Sequence, residues 1–162
     1  MGVIEGCFYH VKDSFFDVVP NIGLMANKED NHSGPHCLAV KDEKEPSIIW
    51  MIPVSSKVAK YKAIYNNMLK RYGKCTKILI SKCDGKDAAY LIQNAFPTIP
   101  FYLDLIHTNG GKPVSMHEGT RKLIAKHLRT NLSLHRRGAK LFFPDIDAIY
   151  QIMLNEDKKL GQ

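Results

Sequence analysis

Apolar positions along this chain change period several times, and the changes mark out its elements. Residues 3–9 alternate as a short strand. "HCLAVK" (36–41) and "SIIWMIPV" (47–54) are apolar runs joined by the polar turn "DEKEP", which predicts a hairpin. "KILISKC" (77–83) and "AAYLIQ" (88–93) flank "DGK" and predict a second, since Asp-Gly supplies the left-handed backbone that a two-residue turn needs. "FYLDLI" (101–106), after Pro97 and Pro100, reads as a further strand. Residues 17–35 are rich in turn formers and read as a long loop.

Elsewhere the period becomes helical. Val58, Tyr61, Ile64, Tyr65, Met68, Leu69 and Tyr72 recur at helix spacing, predicting a helix from about Lys57 to Tyr72 that stops at Gly73. A second helix is predicted to begin at Ser115, where Ser-Met-His-Glu has the form of a capping box. Leu123, Ile124, Leu128 and Leu132 would face inward, and Gly138 would end it. A third starts at Pro144, a residue suited to a first helical position, with Ile146, Ile149, Tyr150, Met153 and Leu154 as its stripe. Two hairpins with flanking helices predict one α+β domain over residues 1–162, built on a small, mostly antiparallel curved sheet or barrel.

Charge changes this picture more than composition does. The 162 residues carry a net charge of +7, unevenly spread. From Pro46 to Cys83 there is no acid, but Lys57, Lys60, Lys62, Lys70, Arg71, Lys74, Lys77 and Lys82 occur. From Gly119 to Pro144 there is again none, with Arg121, Lys122, Lys126, Arg129, Arg136, Arg137 and Lys140. Such segregation is the footprint of a polyanion site. Cys7, Cys37, Cys75 and Cys83 form no C-x-x-C pair and are expected to be buried, reduced thiols rather than zinc ligands. With no apolar run of membrane-spanning length and no signal-peptide pattern at the start, the chain is expected to be cytoplasmic.

The candidate chemistry lies at "IPVSSKVAKYK" (52–62). Ser55 or Ser56 is expected to cap the first helix, leaving the amides of residues 57–59 and the ammonium groups of Lys57 and Lys60 to meet an anion such as a phosphate. Cations at the positive end of a helix dipole are otherwise unfavourable. The basic stretches contain no carboxylate cluster of the kind that holds Mg²⁺ in nucleases, so no metal or other cofactor is expected. RNA offers a route that needs none. Its 2′-OH attacks the adjacent phosphorus, and the protein stabilises the phosphorane with lysines, hydroxyls and amides. His36 opens the strand leading to this block and is a candidate acid or base. There is no phosphate-binding G-x-x-x-x-G-K-[ST] or dinucleotide-binding G-x-G-x-x-G, and no RNA-recognition strand. "GAKLFF", between the last two helices, is too apolar for a helix-turn-helix, which argues against DNA.

The block "GPHCLAV…SIIWMIPVSSKVAKYK" resembles the toxins of type III toxin–antitoxin systems, the ToxN/AbiQ-like endoribonucleases, most closely their CptN/TenpN branch. The matching positions are Pro35, His36, Pro53, Ser55, Ser56 and Lys57. Lys57 follows Ser56 directly where the ToxN branch interposes a proline, and Lys60 is the next lysine. The resemblance implies an SH3-like barrel of the CcdB/Kid/MazF type with surrounding helices. It implies metal-independent cleavage of cellular RNA to a 2′,3′-cyclic phosphate. It also implies inhibition by a small pseudoknotted RNA, cut from tandem repeats, in a closed protein–RNA ring, with a role in phage defence. Ser56, Lys57, His36, Lys60 and Ser55 would be catalytic. Lys62, Arg71, Arg121, Lys126, Arg129, Arg136 and Arg137 would hold RNA. The alternative is a non-catalytic RNA-binding or ribosome-associated protein, which accounts for the charge but not for Ser, Ser and Lys gathered at a helix start.

Overall fold

The computed structural model of the protein describes residues 2–20, 23–24, 28–29, 32–33 and 36–161. The chain runs β1 (Phe8–Val11), α1 (Asp13–Val18), β2 (Lys28–Glu29), β3 (His32–Ser33), β4 (Cys37–Lys41), β5 (Ile49–Ser55) and α2 (Val58–Tyr72). It continues through β6 (Ile78–Cys83), β7 (Lys86–Leu91), β8 (Phe96–Thr98), β9 (Leu103–Ile106), β10 (Thr108–Asn109) and β11 (Lys112–Pro113) to α3 (Glu118–Arg136) and α4 (Ile146–Leu160). This is an α+β arrangement on a mostly antiparallel sheet.

Both predicted hairpins are present. The β6–β7 turn is Asp84–Gly85, with φ of 53° and 80°, the left-handed pair expected of Asp-Gly. β5 is the organising strand. It pairs along β4 on one side; on the other it pairs first with β8, through Trp50 opposite Pro97, and then with β7, through Ser55 opposite Ala89. Its residues are buried on both faces except for half-buried Val54, so it reads as a continuous apolar run. The sheet order is β6-β7-β5-β4-β1-β9, with β6 and β9 at its two ends. The tips of the β6–β7 and β10–β11 hairpins meet where Asn109 Nδ2 donates to both Asp84 carboxylate oxygens, at 2.9 and 3.1 Å.

The main core lies between the sheet and α3 and α4, around Phe8, Phe15, Leu38, Trp50, Ile52, Ile124, Leu128, Ile149 and Met153. A smaller cluster (Cys75, Ile78, Ala89 and Leu91) lies under α2, whose Tyr61, Ile64, Tyr65 and Met68 pack onto it. Asp42 ties the β4–β5 turn to both neighbours. It accepts from the amides of Lys44 and Glu45, from Trp50 Nε1 at 2.8 Å and from the Tyr150 hydroxyl of α4 at 3.2 Å.

Several expectations are corrected. The first strand begins at Phe8 rather than residue 3, because Glu5–Gly6 form a turn with Gly6 at φ 89°. The stretch 17–35 is not all loop: α1 runs into it, and β2 and β3 pair within it. Pro35 lies outside the described residues. The capping box at Ser115 does not form. The Met116 amide donates to the Gly6 carbonyl at 2.8 Å and Ser115 bridges to Cys7, so this segment stays extended and α3 starts at Glu118. Leu123 is exposed, whereas Ile124 and Leu128 are buried. α4 begins at Ile146, with the Asp145 side chain accepting from the Ala148 amide at 3.2 Å. The segment "FYLDLI" opens with a 3₁₀ turn at Pro100–Tyr102 before β9.

Candidate functional site

The predicted block sits where β5 ends and α2 begins. Alternation along β5 sends Val54 to the face that carries Tyr90, and Ser55 to the opposite face with Ala89, under α2. The Ser55 hydroxyl is buried and accepts the Lys57 amide at 3.1 Å. Lys57 itself occupies the helix-capping position. The Val58 amide donates to the Ser56 carbonyl at 2.8 Å. Two of the three amides expected to meet an anion are therefore already occupied. What remains open is side-chain chemistry: Ser56, Lys57 and Lys60 are all exposed.

α2 keeps its cations available. Among the described residues none of Lys57, Lys60, Lys62, Lys70 and Arg71 forms an ion pair; Lys60 lies over the Tyr61 ring at 5.2 Å and Arg71 over Tyr72 at 5.6 Å. The second acid-free run behaves differently, because acids that lie outside it, near and far in sequence, reach it. Arg129 pairs with Glu43, Arg121 lies 3.9 Å from both Glu5 and Glu118, and Lys122 pairs with Glu118 at 3.2 Å. Lys126 is exposed on α3, and Arg136 and Arg137 stand exposed at its C-terminal end.

His36 joins the block from the neighbouring strand. Its carbonyl accepts the Val54 amide at 3.0 Å, so it lies one strand from Ser55. It is not alone. The His10 ring centroid is 4.2 Å from that of His36, and the His107 centroid is 3.9 Å from it. Burial first, and then the adjacent His10 and His107, lower the His36 pKa to about 4, so the ring is neutral at pH 7. Sequence reasoning missed His10 and His107, whose only signal was position at the ends of strands.

An open cleft of about 620 Å³ runs between the β6–β7 and β10–β11 hairpins, with Phe8 in its wall and Ser81, Lys82, Asn109, Lys112 and Ser115 around it. The four cysteines form no disulfide; Cys7, Cys37 and Cys75 are buried and Cys83 half-buried. Burial raises the Cys37 thiol to about 12, which removes it as a nucleophile or ligand. No group of three or more His, Cys, Asp or Glu side chains is arranged to hold a metal ion among the described residues. No helix among them is long and apolar enough to cross a membrane. In comparisons with protein-family models and with curated proteins, the chain matches none.

Proposed function

We propose that the protein is a metal-independent endoribonuclease, the toxin half of a type III toxin–antitoxin pair, acting in the cytoplasm. The observation that carries this reading is the end of β5. An exposed hydroxyl, Ser56, and two exposed ammonium groups, Lys57 and Lys60, stand one strand from a neutral imidazole, His36. A hydroxyl and a lysine are the groups that bind a phosphodiester and stabilise the charge of its phosphorane. A neutral imidazole accepts the proton of the attacking 2′-OH. The products are a 2′,3′-cyclic phosphate and a 5′-OH. The exposed cations of α2 give a surface for the RNA backbone beside the site. The underlying fold in this reading is an SH3-like barrel of the CcdB/Kid/MazF type, supported by the mostly antiparallel sheet and by the two hairpin tips joined through Asn109 and Asp84.

The neutralising partner in this reading is a small pseudoknotted RNA cut from tandem repeats. It bridges protomers into a closed ring, one end in the active site and its body on the neighbour's basic helix. The decisive experiment is cleavage of single-stranded RNA by purified protein in EDTA, with cyclic phosphate ends on the product. Strict dependence on Mg²⁺, or 5′-phosphate products, would overturn the reading, and binding without cleavage would leave an RNA-binding protein. The partner is tested by light scattering before and after ribonuclease treatment of the co-purified assembly. An oligomer that survives removal of all RNA is held by protein contacts, not by a ring of RNA.

A further inference from the structure

Three histidines from three separated stretches of chain meet in one stack. His10 belongs to β1, His36 directly precedes β4, and His107 directly follows β9. Strand register builds the group. Tyr9 stands opposite Cys37, so one step on along β1 brings His10 opposite His36. β9 lies on the other edge of β1, and the His107 amide donates to the Phe8 carbonyl at 2.8 Å. The rings incline at 57° for His10 on His36 and 46° for His36 on His107. His36 is thus the central ring, and all three are half-buried rather than sealed in the core.

Imidazoles are a poor choice for filling space at such a place, since a second proton in the group is repelled by the first. The protein shows another use of histidine in His135, which is tied to Asp147 at 2.9 Å. The His10–His36–His107 stack instead keeps imidazoles together beside a phosphate-suited block. Alternation continued one residue past the end of β5 returns Ser56 to the side of Val54, the residue hydrogen-bonded to His36.

We propose that His10, His36 and His107 form the acid–base unit of the Ser56–Lys57 site, with His36 as the base and His107 as the acid. This rests on the endoribonuclease reading above. A lone pair of the neutral His36 ring takes the 2′-OH proton while the 2′-oxygen forms its bond to phosphorus. The bond from phosphorus to the 5′-oxygen breaks, and that oxygen receives a proton from the His107 ring. One imidazole gains a proton, the other loses one, and exchange with water restores both. His10 is a positioning residue, set against His36 and adding to the suppression of its charge.

The test uses a short oligoribonucleotide and the same molecule with sulfur in place of the bridging 5′-oxygen at the mapped cut, because a thiolate leaves without protonation. His36→Gln slows cleavage of both by about 10²–10⁴-fold. His107→Gln slows the oxygen substrate comparably but stays within a few-fold of wild type on the sulfur one. His10→Gln moves the acid limb of the pH–rate profile to higher pH, since one suppressor of His36 charge is gone. Variants that are folded by NMR yet keep wild-type rates and pH profiles on both substrates overturn the proposal. A measurement on the unaltered protein guards against misfolded variants: its imidazole resonances shift on adding the oligonucleotide with a 2′-deoxy residue at the cut, and unmoved resonances overturn the assignment. A wild type that cuts no RNA in EDTA overturns the endoribonuclease reading itself, and does so before any histidine variant is made.

Discussion

The buried Ser55 hydroxyl accepts the amide of Lys57 at 3.1 Å, while Ser56, between them in sequence, is exposed. Neighbouring serines at one helix start therefore have separable tasks. Ser55→Ala removes the acceptor of the Lys57 amide and lowers stability by about 1 kcal/mol, read as a lower urea midpoint. Ser56→Ala leaves the midpoint within about 0.5 kcal/mol and, with Lys57→Ala, abolishes toxicity on expression. A folded, fully toxic Ser56→Ala/Lys57→Ala double variant would place the chemistry elsewhere.

Stability is expected to fall as the medium is acidified from pH 6.5 toward 4. The folded His36 pKa, at about 4, lies below the ordinary histidine value of 6.5. Across that window the unfolded chain binds the proton and the folded chain does not, so the stabilisation present above pH 6.5 is lost on going down. His127, also lowered by burial, acts in the same direction. For His36 the loss is about 2 kcal/mol after allowance for solvent screening. Urea titrations at pH 7 and 4.5 measure it, and His36→Gln flattens the difference; an unaltered slope in that variant would assign it to other groups.

The two basic stretches are expected to differ in RNA binding. Lys60, Lys62 and Arg71 form no ion pair among the described residues, whereas Arg121 and Arg129 are engaged by Glu5, Glu118 and Glu43. Neutralising Lys60, Lys62 and Arg71 together lowers the salt slope of binding by about one for each phosphate left without its cation. Neutralising Arg121 and Arg129 together lowers it less for each charge removed. An equal drop per charge would show that RNA displaces those acids on binding.

Gly23 carries a packing requirement outside the site. At φ 80°, an added Cβ would overlap the Phe143 carbonyl oxygen and stand 2.8 Å from the Pro144 nitrogen, both backbone atoms. Gly23→Ala is expected to cost about 2 kcal/mol or more, measured as a lowered Tm, because neither backbone strain nor overlap is relieved by a side-chain rotation. A Tm within a degree of wild type would mean that the segment before α4 moves freely.

What was legible in the sequence was local. Asp84–Gly85 specifies its turn from two adjacent residues, and β4 and β5 announce themselves as apolar runs around a polar turn. Ser115 misled because its segment's amides were claimed from afar, by Gly6 and His107, before a helix formed there. Charge runs were visible but their partners were not: Glu43 reaches Arg129 only through the fold. His10, His36 and His107 carry no shared motif, and it takes the register of β1 against β4, with β9 on its other edge, to make them neighbours.

The hydrogen bonds between Asn109 and Asp84 form a latch between two hairpins that are far apart in sequence. Both residues are exposed, so their pairing competes with water and holds the hairpin tips together by only about 1 kcal/mol, a factor of about 5 in population. Asn109→Ala unfastens this latch while each hairpin keeps its own ladder, so the two tips become independent of one another.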